Sequence, residues 1–250
     1  MGVKALYYYL GRDVKHGYPA TNMKNILFCY GNHPNDAVAF VNNLVIRTIQ
    51  EYNPRDLRIS LIHNSLSSRL NFNVWNKAFE GTRVIPQLEG ITDTQYTVQD
   101  CERVVDEIFN LIHYRESTSS DSWIPTLYII SEFDTLYKTI TPAYREKLMG
   151  VLFNCDRYLV HIVGLTERAT TVEPVVNDFE IRCCLKTTKD EFKVLFNETK
   201  FMMSTFYKRE FYVDDLYEFK KLYIPFYPDT WIEKFCRYYG VRREDVRDEG

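Results

Sequence analysis

What most constrains this chain is a series of five apolar runs of strand length: Ile26 to Tyr30, Leu57 to Ile62, Leu127 to Ile130, Tyr158 to Leu165 and Phe179 to Leu185. Most are unbroken. A strand with one face in water alternates apolar and polar residues, so an unbroken run calls for cover on both faces, as in a parallel sheet between helical layers. Segments of helical spacing lie between the runs, at Ala37 to Gln50, Val98 to Tyr114 and Ala143 to Asn154. In the second, Val98, Cys101, Val104, Val105, Ile108 and Ile112 form one apolar stripe, with Asp100, Glu102, Arg103 and Glu107 opposite. Strand and helix alternating through the first two-thirds predicts an α/β fold, a doubly wound, mostly parallel sheet flanked by helices and joined by right-handed crossovers.

A chain of 250 residues, 45% hydrophobic and 15% aromatic, can bury a sizeable core. With no internal repeat and no linker rich in Pro, Gly and Ser, a single domain over 1–250 is expected. The net charge of −3 and pI near 6.0 give no global attraction to phosphate or anionic lipid, so nucleic-acid binding would need a local patch. The candidate patch is Arg55, Arg58, Arg69, Lys77 and Arg83, but Glu51, Asp56 and Glu80 flank it, which favours a solvated face over a DNA-binding one.

Six cysteines occur without a Cys-x-x-Cys pair, so reduced, buried thiols are expected and neither a zinc site nor a redox motif. His33, His63 and His161 are placed near carboxyl ends of strands and read as structural rather than as a metal site. Without a signal peptide or an apolar stretch of membrane-spanning length, a cytoplasmic chain with no membrane attachment is expected. Arg115 to Trp123 reads as a polar surface loop. Glu167 to Asn177 follows the fourth run and belongs at its carboxyl end, where open α/β sheets place their sites. The aromatic tail, Phe201 through Tyr239, is either core or an assembly surface, and the helical spacing of Trp231, Ile232, Phe235 and Tyr239 favours core.

Several segments carry a resemblance, in this order. Leu10-Gly11-Arg12-Asp13-Val14 is followed by Gly17 and Pro19, then by Ile26-Leu27-Phe28-Cys29-Tyr30-Gly31 and Ala39-Phe40-Val41-Asn42. Farther on come Ile85-Pro86-Gln87-Leu88, then Ile124 to Leu136 with Ser131-Glu132-Phe133, and His161 to Glu167. Asp190 to Asn197 and Leu222 to Phe235 complete the set. Over nearly the whole chain these resemble the motor domain of FtsK and SpoIIIE-type DNA translocases, a RecA-like P-loop NTPase fold. The resemblance implies an N-terminal leader over 1–24 and a C-terminal strand and helix extension over 200–250.

It also implies a nucleotide site, and there the residues depart from what the chemistry needs. A phosphate loop uses glycines so that backbone N–H groups can wrap the phosphates, a lysine on the β and γ oxygens, and a hydroxyl on magnesium. The matching stretch is Gly31-Asn32-His33-Pro34-Asn35-Asp36-Ala37-Val38: the first glycine remains, the lysine position falls on Ala37 and the hydroxyl position on Val38, or on Asp36 and Ala37 one register back. Pro34 removes a donor and Asp36 adds a negative charge, although the helix terminus near Asn35 still offers N–H groups to a phosphate unless Asn35 or Asp36 caps it. Ser131 stands where the metal-orienting Asp would be, while Glu132 matches the residue that polarises the attacking water. Thr166 matches a sensor threonine beside Glu167, and His63-Asn64-Ser65 replaces an Asp-Pro-Lys element. Arg157, or Arg145, is the candidate arginine finger.

The resemblance therefore implies a degenerate ATPase domain, without a cofactor or with ATP and magnesium held only weakly. Such a domain would be a structural or regulatory subunit of a DNA or protein translocation assembly, in a homo- or hetero-oligomer with FtsK-like subunits. The alternatives are a non-motor DNA-binding protein and a translocase retaining weak ATP binding. Without a membrane anchor or an orienting domain, a stand-alone protein of a phage or mobile element is expected.

Overall fold

The computed structural model describes residues 6–13, 17–67, 69–75, 83–197, 209–215 and 218–242. Strands β1 (Tyr7–Tyr8) and β2 (Thr21–Asn22) pair ahead of β3 (Ile26–Cys29) and α1 (Pro34–Glu51). Then come β4 (Arg58–His63), β5 (Arg83–Val84), β6 (Leu88–Asp93), α2 (Val98–Glu116), β7 (Thr126–Ile130), α3 (Phe133–Thr139) and α4 (Pro142–Asn154). The chain continues through β8 (Val160–Thr166), β9 (Ile181–Cys184), α5 (Lys189–Phe196), β10 (Glu210–Asp214), β11 (Phe219–Tyr223), α6 (Asp229–Tyr239) and β12 (Val241–Arg242).

The main sheet has eight strands in the order β11-β10-β9-β3-β8-β7-β4-β6. From β9 to β6 all pairs are parallel; β10 and β11 run antiparallel to their neighbours. The five apolar runs are the five adjacent strands β9, β3, β8, β7 and β4, each with both faces covered. From β3 the chain passes through α1 to β4, leaving room that β8 and β7 later fill, and β9 lands on the far side of β3. The strand order thus reverses around β3, which fixes the crevice beyond the carboxyl ends of β3 and β8 as the natural ligand position.

Two cores flank the sheet. On one face Phe28 stacks on Phe40 of α1 at 4.0 Å and Phe211 of β10 meets both. Burying each such ring contributes roughly 1.5–3 kcal/mol. α1 is sunk so deeply that its polar residues need internal partners: Asn42 Oδ1 accepts from Trp75 Nε1, and Asn43 donates to the carbonyls of Tyr9 and Leu10. On the other face lie α2, α4 and α5. The apolar stripe of α2 is buried from Cys101 to Ile112, and its N-cap Thr97 accepts from Asp100 N at 3.2 Å.

Arg115 corrects the expectation of a polar loop beginning there. α2 runs on to Glu116, and the Arg115 guanidinium is buried against the carbonyls of Tyr158, Leu159 and Ile124 and the Thr126 hydroxyl. Of the tail stripe, Ile232 and Phe235 are buried while Trp231 and Tyr239 are partly exposed. The leader residues 1–5 and 14–16, Lys77, Glu80, the Arg83 side chain and tail residues 198–208 and 243–250 lie outside the described residues.

Candidate functional site

At the carboxyl end of β3, Tyr30 N donates to the Thr166 carbonyl at 2.9 Å, which extends the pairing with β8. Tyr30-Gly31-Asn32-His33 is a tight turn closed by His33 N on the Tyr30 carbonyl at 3.0 Å. Gly31 takes φ +54°, and a Cβ there would lie 3.2 Å from the Lys186 carbonyl, so the segment after β9 packs directly over the turn. α1 then starts at Pro34, a residue suited to the first helical position because it lacks the N–H that would otherwise go unused.

This start corrects the capping expectation. The N-cap is His33, without a side-chain cap bond, and Asn35 and Asp36 lie inside the first turn. The Asp36 carboxylate instead faces Arg209, whose Nε is 3.6 Å away and whose guanidinium stacks over Phe226. Asn32 is exposed, Ala37 is fully buried, and Val38 packs against the α1 core. Neither register therefore puts a cation or hydroxyl at the turn.

The neighbouring strand ends are filled by internal contacts. Ser131 is buried, its hydroxyl 3.1 Å from that of Tyr96, which also accepts from Glu132 N. A segment after β4 crosses the crevice: Ser67 donates to Glu132 Oε1 at 2.9 Å, and Arg69 pairs with Glu167 through both terminal nitrogens. Thr166 turns its hydroxyl to the Arg168 carbonyl at 2.9 Å.

Ser67, Tyr96, Asp134 and Tyr30 were not singled out in the sequence as site residues. Asp134, on the first turn of α3, accepts from Glu167 N at 3.2 Å and from Thr135 N at 3.0 Å; burial raises its pKa, these bonds opposing. Tyr30 has its phenol pKa pushed up first by burial and then by Asp134, Glu167 and Glu132, with Arg69 opposing. The crevice thus gathers three carboxylates and one guanidinium around a tyrosine. The signal for Asp134 was its place three residues after Ser131; for Tyr30 it was its place at the strand exit before the retained glycine.

Other candidate residues lie elsewhere. Arg157 is exposed at the amino end of β8, 5.6 Å from the Tyr158 ring, on the opposite edge from the crevice. Arg145 donates to the carbonyls of Tyr137 and Lys138. The described members of the basic set do not form one patch. Arg55 and Arg58 sit at the amino end of β4, where Arg58 bonds Pro54 O and faces Glu89 at 3.8 Å, and Arg69 is at the carboxyl end on Glu167. His33 and His63 are at carboxyl ends, but His161 is the second residue of β8 and so at the amino end, contrary to expectation. Among the described residues no cluster of three or more His, Cys, Asp or Glu could hold a metal, and no helix is long and apolar enough to cross a membrane.

A doubly wound sheet reversing at β3, with a tight strand-to-helix turn at that point, is an open α/β layout that the P-loop NTPase fold shares. The structure resembles FtsK/SpoIIIE-like ATPases of that fold. It matches the cytoplasmic domain of the Thermomonospora curvata type VII secretion ATPase EccC with TM-score 0.68 and 12% identity, over 94% of this chain and 31% of that one. It matches the pCW3 conjugation coupling protein TcpA, in its monomer form with ATPγS, with TM-score 0.66 and 10% identity, over 95% of this chain and 71% of that one. It matches the genome-packaging NTPase B204 of Sulfolobus turreted icosahedral virus 2, with AMPPCP, with TM-score 0.56 and 14% identity, over 82% of this chain and 99% of that one. The chain spans less than a third of the EccC chain. No protein-family model matches the sequence, and no curated protein matches it either.

Proposed function

We propose that this chain is a non-hydrolysing P-loop-fold domain, a structural or regulatory part of a machine that translocates DNA or protein. One observation carries the reading: where a phosphate-binding crevice would attract anions, this one presents Glu132, Asp134 and Glu167 around Tyr30, bridged internally by Ser67 and Arg69. Two like charges 4 Å apart repel by about 4 kcal/mol at an effective dielectric of 20, so a polyphosphate entering beside these carboxylates meets a barrier that one guanidinium does not remove. The buried Ala37 and half-buried Val38 offer no lysine or metal-holding hydroxyl to offset it. The assembly role draws on the neighbours, which are ATPases of secretion, conjugation and genome packaging.

The test is calorimetric titration with ATP and ADP in the presence of magnesium, with phosphate release measured on the same sample. No saturable heat at millimolar nucleotide and no release above background are expected. Saturable heat at millimolar nucleotide, or phosphate release above background, would overturn the reading.

A further inference from the structure

After β4 the chain leaves the sheet, and the loop from Ser65 to Asn73 reaches across the crevice. Its base is closed, because Asn73 Nδ2 donates to the Ser65 carbonyl at 3.3 Å. Its two feet are fixed. Ser65 gives its N–H and its hydroxyl to the two oxygens of Asp93, at 2.8 and 2.5 Å. On the other side Phe72 and Trp75 are fully buried, and Trp75 Nε1 donates to Asn42 of α1 at 2.9 Å. Compact surface loops with joined ends are a common form of functional segment.

β7 and β8 lie one and two strands beyond β4 in the sheet, roughly 5 and 10 Å away at the usual strand spacing. The loop spans both steps. Ser67 donates to Glu132 at the end of β7, and Arg69 pairs with Glu167 at the end of β8. Ser67 also shapes the reach: its hydroxyl oxygen accepts from Arg69 N at 3.3 Å and from Leu70 N at 3.4 Å, so the side chain that touches Glu132 sets the backbone from which Arg69 departs.

These tip contacts differ in kind from the feet. The feet hold by apolar burial and by bonds to neighbouring elements, whereas at the tip the Arg69 side chain is 58% exposed and that of Glu167 20%. A pair this exposed favours the joined state only about two- to fivefold, and salt weakens it. The loop is therefore firm where it leaves the sheet and lightly held where it crosses the crevice.

We propose that the loop from Ser65 to Asn73 is a lid over the crevice, latched by Arg69 on Glu167 and by Ser67 on Glu132, which opens at its tip while its feet and the sheet stay in place. Closed, it fills the crevice with the chain's own guanidinium; open, it uncovers Glu132 and Glu167. The inference rests on the non-hydrolysing reading for one point, that no nucleotide competes with the lid for this place.

Amide hydrogen exchange on the intact chain tests it, since exchange through local opening follows the open fraction. In Arg69→Ala the amides of Ser67 and Leu70 should exchange about two- to fivefold faster, with those of Trp75 and of Leu27, Ile129 and Val163 in the central strands unchanged. One molar sodium chloride should speed Ser67 and Leu70 in the wild type by a similar factor relative to the central strands, and should do nothing further in Arg69→Ala, where no pair is left to screen. Ser67→Ala removes the other tie and the turn together, and should speed Leu70 about tenfold. Equal speeding of loop and sheet, no change at the tip in either variant, or a salt response that survives in Arg69→Ala overturns the proposal. Saturable nucleotide heat in the wild type would sink the non-hydrolysing reading by itself, whereas the lid is judged on exchange alone.

Discussion

His161 shows how a single buried group in this molecule is held in one charge state. Its imidazole is 3% exposed at the amino end of β8, and desolvation lowers its pKa from 6.5 to about 4, with Asp156 at 3.7 Å opposing and Lys24 and Arg115 adding to the shift. The folded state therefore holds the neutral form at pH 7, while the unfolded chain takes up a proton as pH falls below 6.5. A depressed pKa makes this contribution complete above 6.5 and loses it progressively down to about 4, a total on the order of 3 kcal/mol. Replacing His161 by Gln removes that dependence. The stability gap between wild type and variant, from urea midpoints at pH 7, 5.5 and 4.5, should narrow as pH falls; a constant gap would show that the histidine does not titrate in this window.

The leader illustrates what an element can owe to one missing side chain. Gly11 packs where a Cβ would be 2.8 Å from Phe211 Cε1 and 2.9 Å from the Tyr223 carbonyl. That carbonyl accepts from Arg12 N, and Tyr223 N donates back to Arg12, so the leader is paired to β11 and the sheet edge is occupied there. Gly11→Ala should destabilise by about 1–3 kcal/mol, the usual cost of overpacking, and raise hydrogen exchange first at the Arg12 and Tyr223 amides. Unchanged exchange at those amides would count against the leader as part of the sheet. The sequence made the five central strands legible because burial on both faces writes itself as unbroken apolar runs. β6 and β10 were not legible: Leu88–Asp93 has an exposed Glu and Asp and a Gly, as an outer strand tolerates, and Glu210–Asp214 is short among other aromatics. In the crevice, the loss of lysine and hydroxyl could be read from residue types alone. That Arg69 and Ser67 would reach Glu167 and Glu132 could not, because those contacts join residues 98 and 65 positions apart.

For the molecule as a whole, the acidic crevice bears on how copies or relatives would assemble. In a ring whose subunits share nucleotide at their interfaces, bound ATP adds cohesion between neighbours. On the proposed non-hydrolysing reading, with the turn at Gly31, the buried Ala37 and the carboxylates at the strand ends, that contribution is missing and association would come from protein faces. α6 and the segment before it supply one such face: Phe226, Trp231 and Tyr238 are 54%, 39% and 82% exposed, and Trp231 belongs to a ladder of rings from Tyr227 to Tyr239. Apolar association weakens little with salt and not at all with nucleotide, whereas nucleotide-bridged association follows ATP and magnesium. Sedimentation velocity across a concentration series should give the same distribution with and without millimolar ATP and magnesium. If copies associate, Tyr238→Ser with Trp231→Ser should shift the distribution toward monomer. A distribution that moves to larger species on adding ATP would mean that nucleotide bridges subunits after all, and the structural account of the crevice would fail with it.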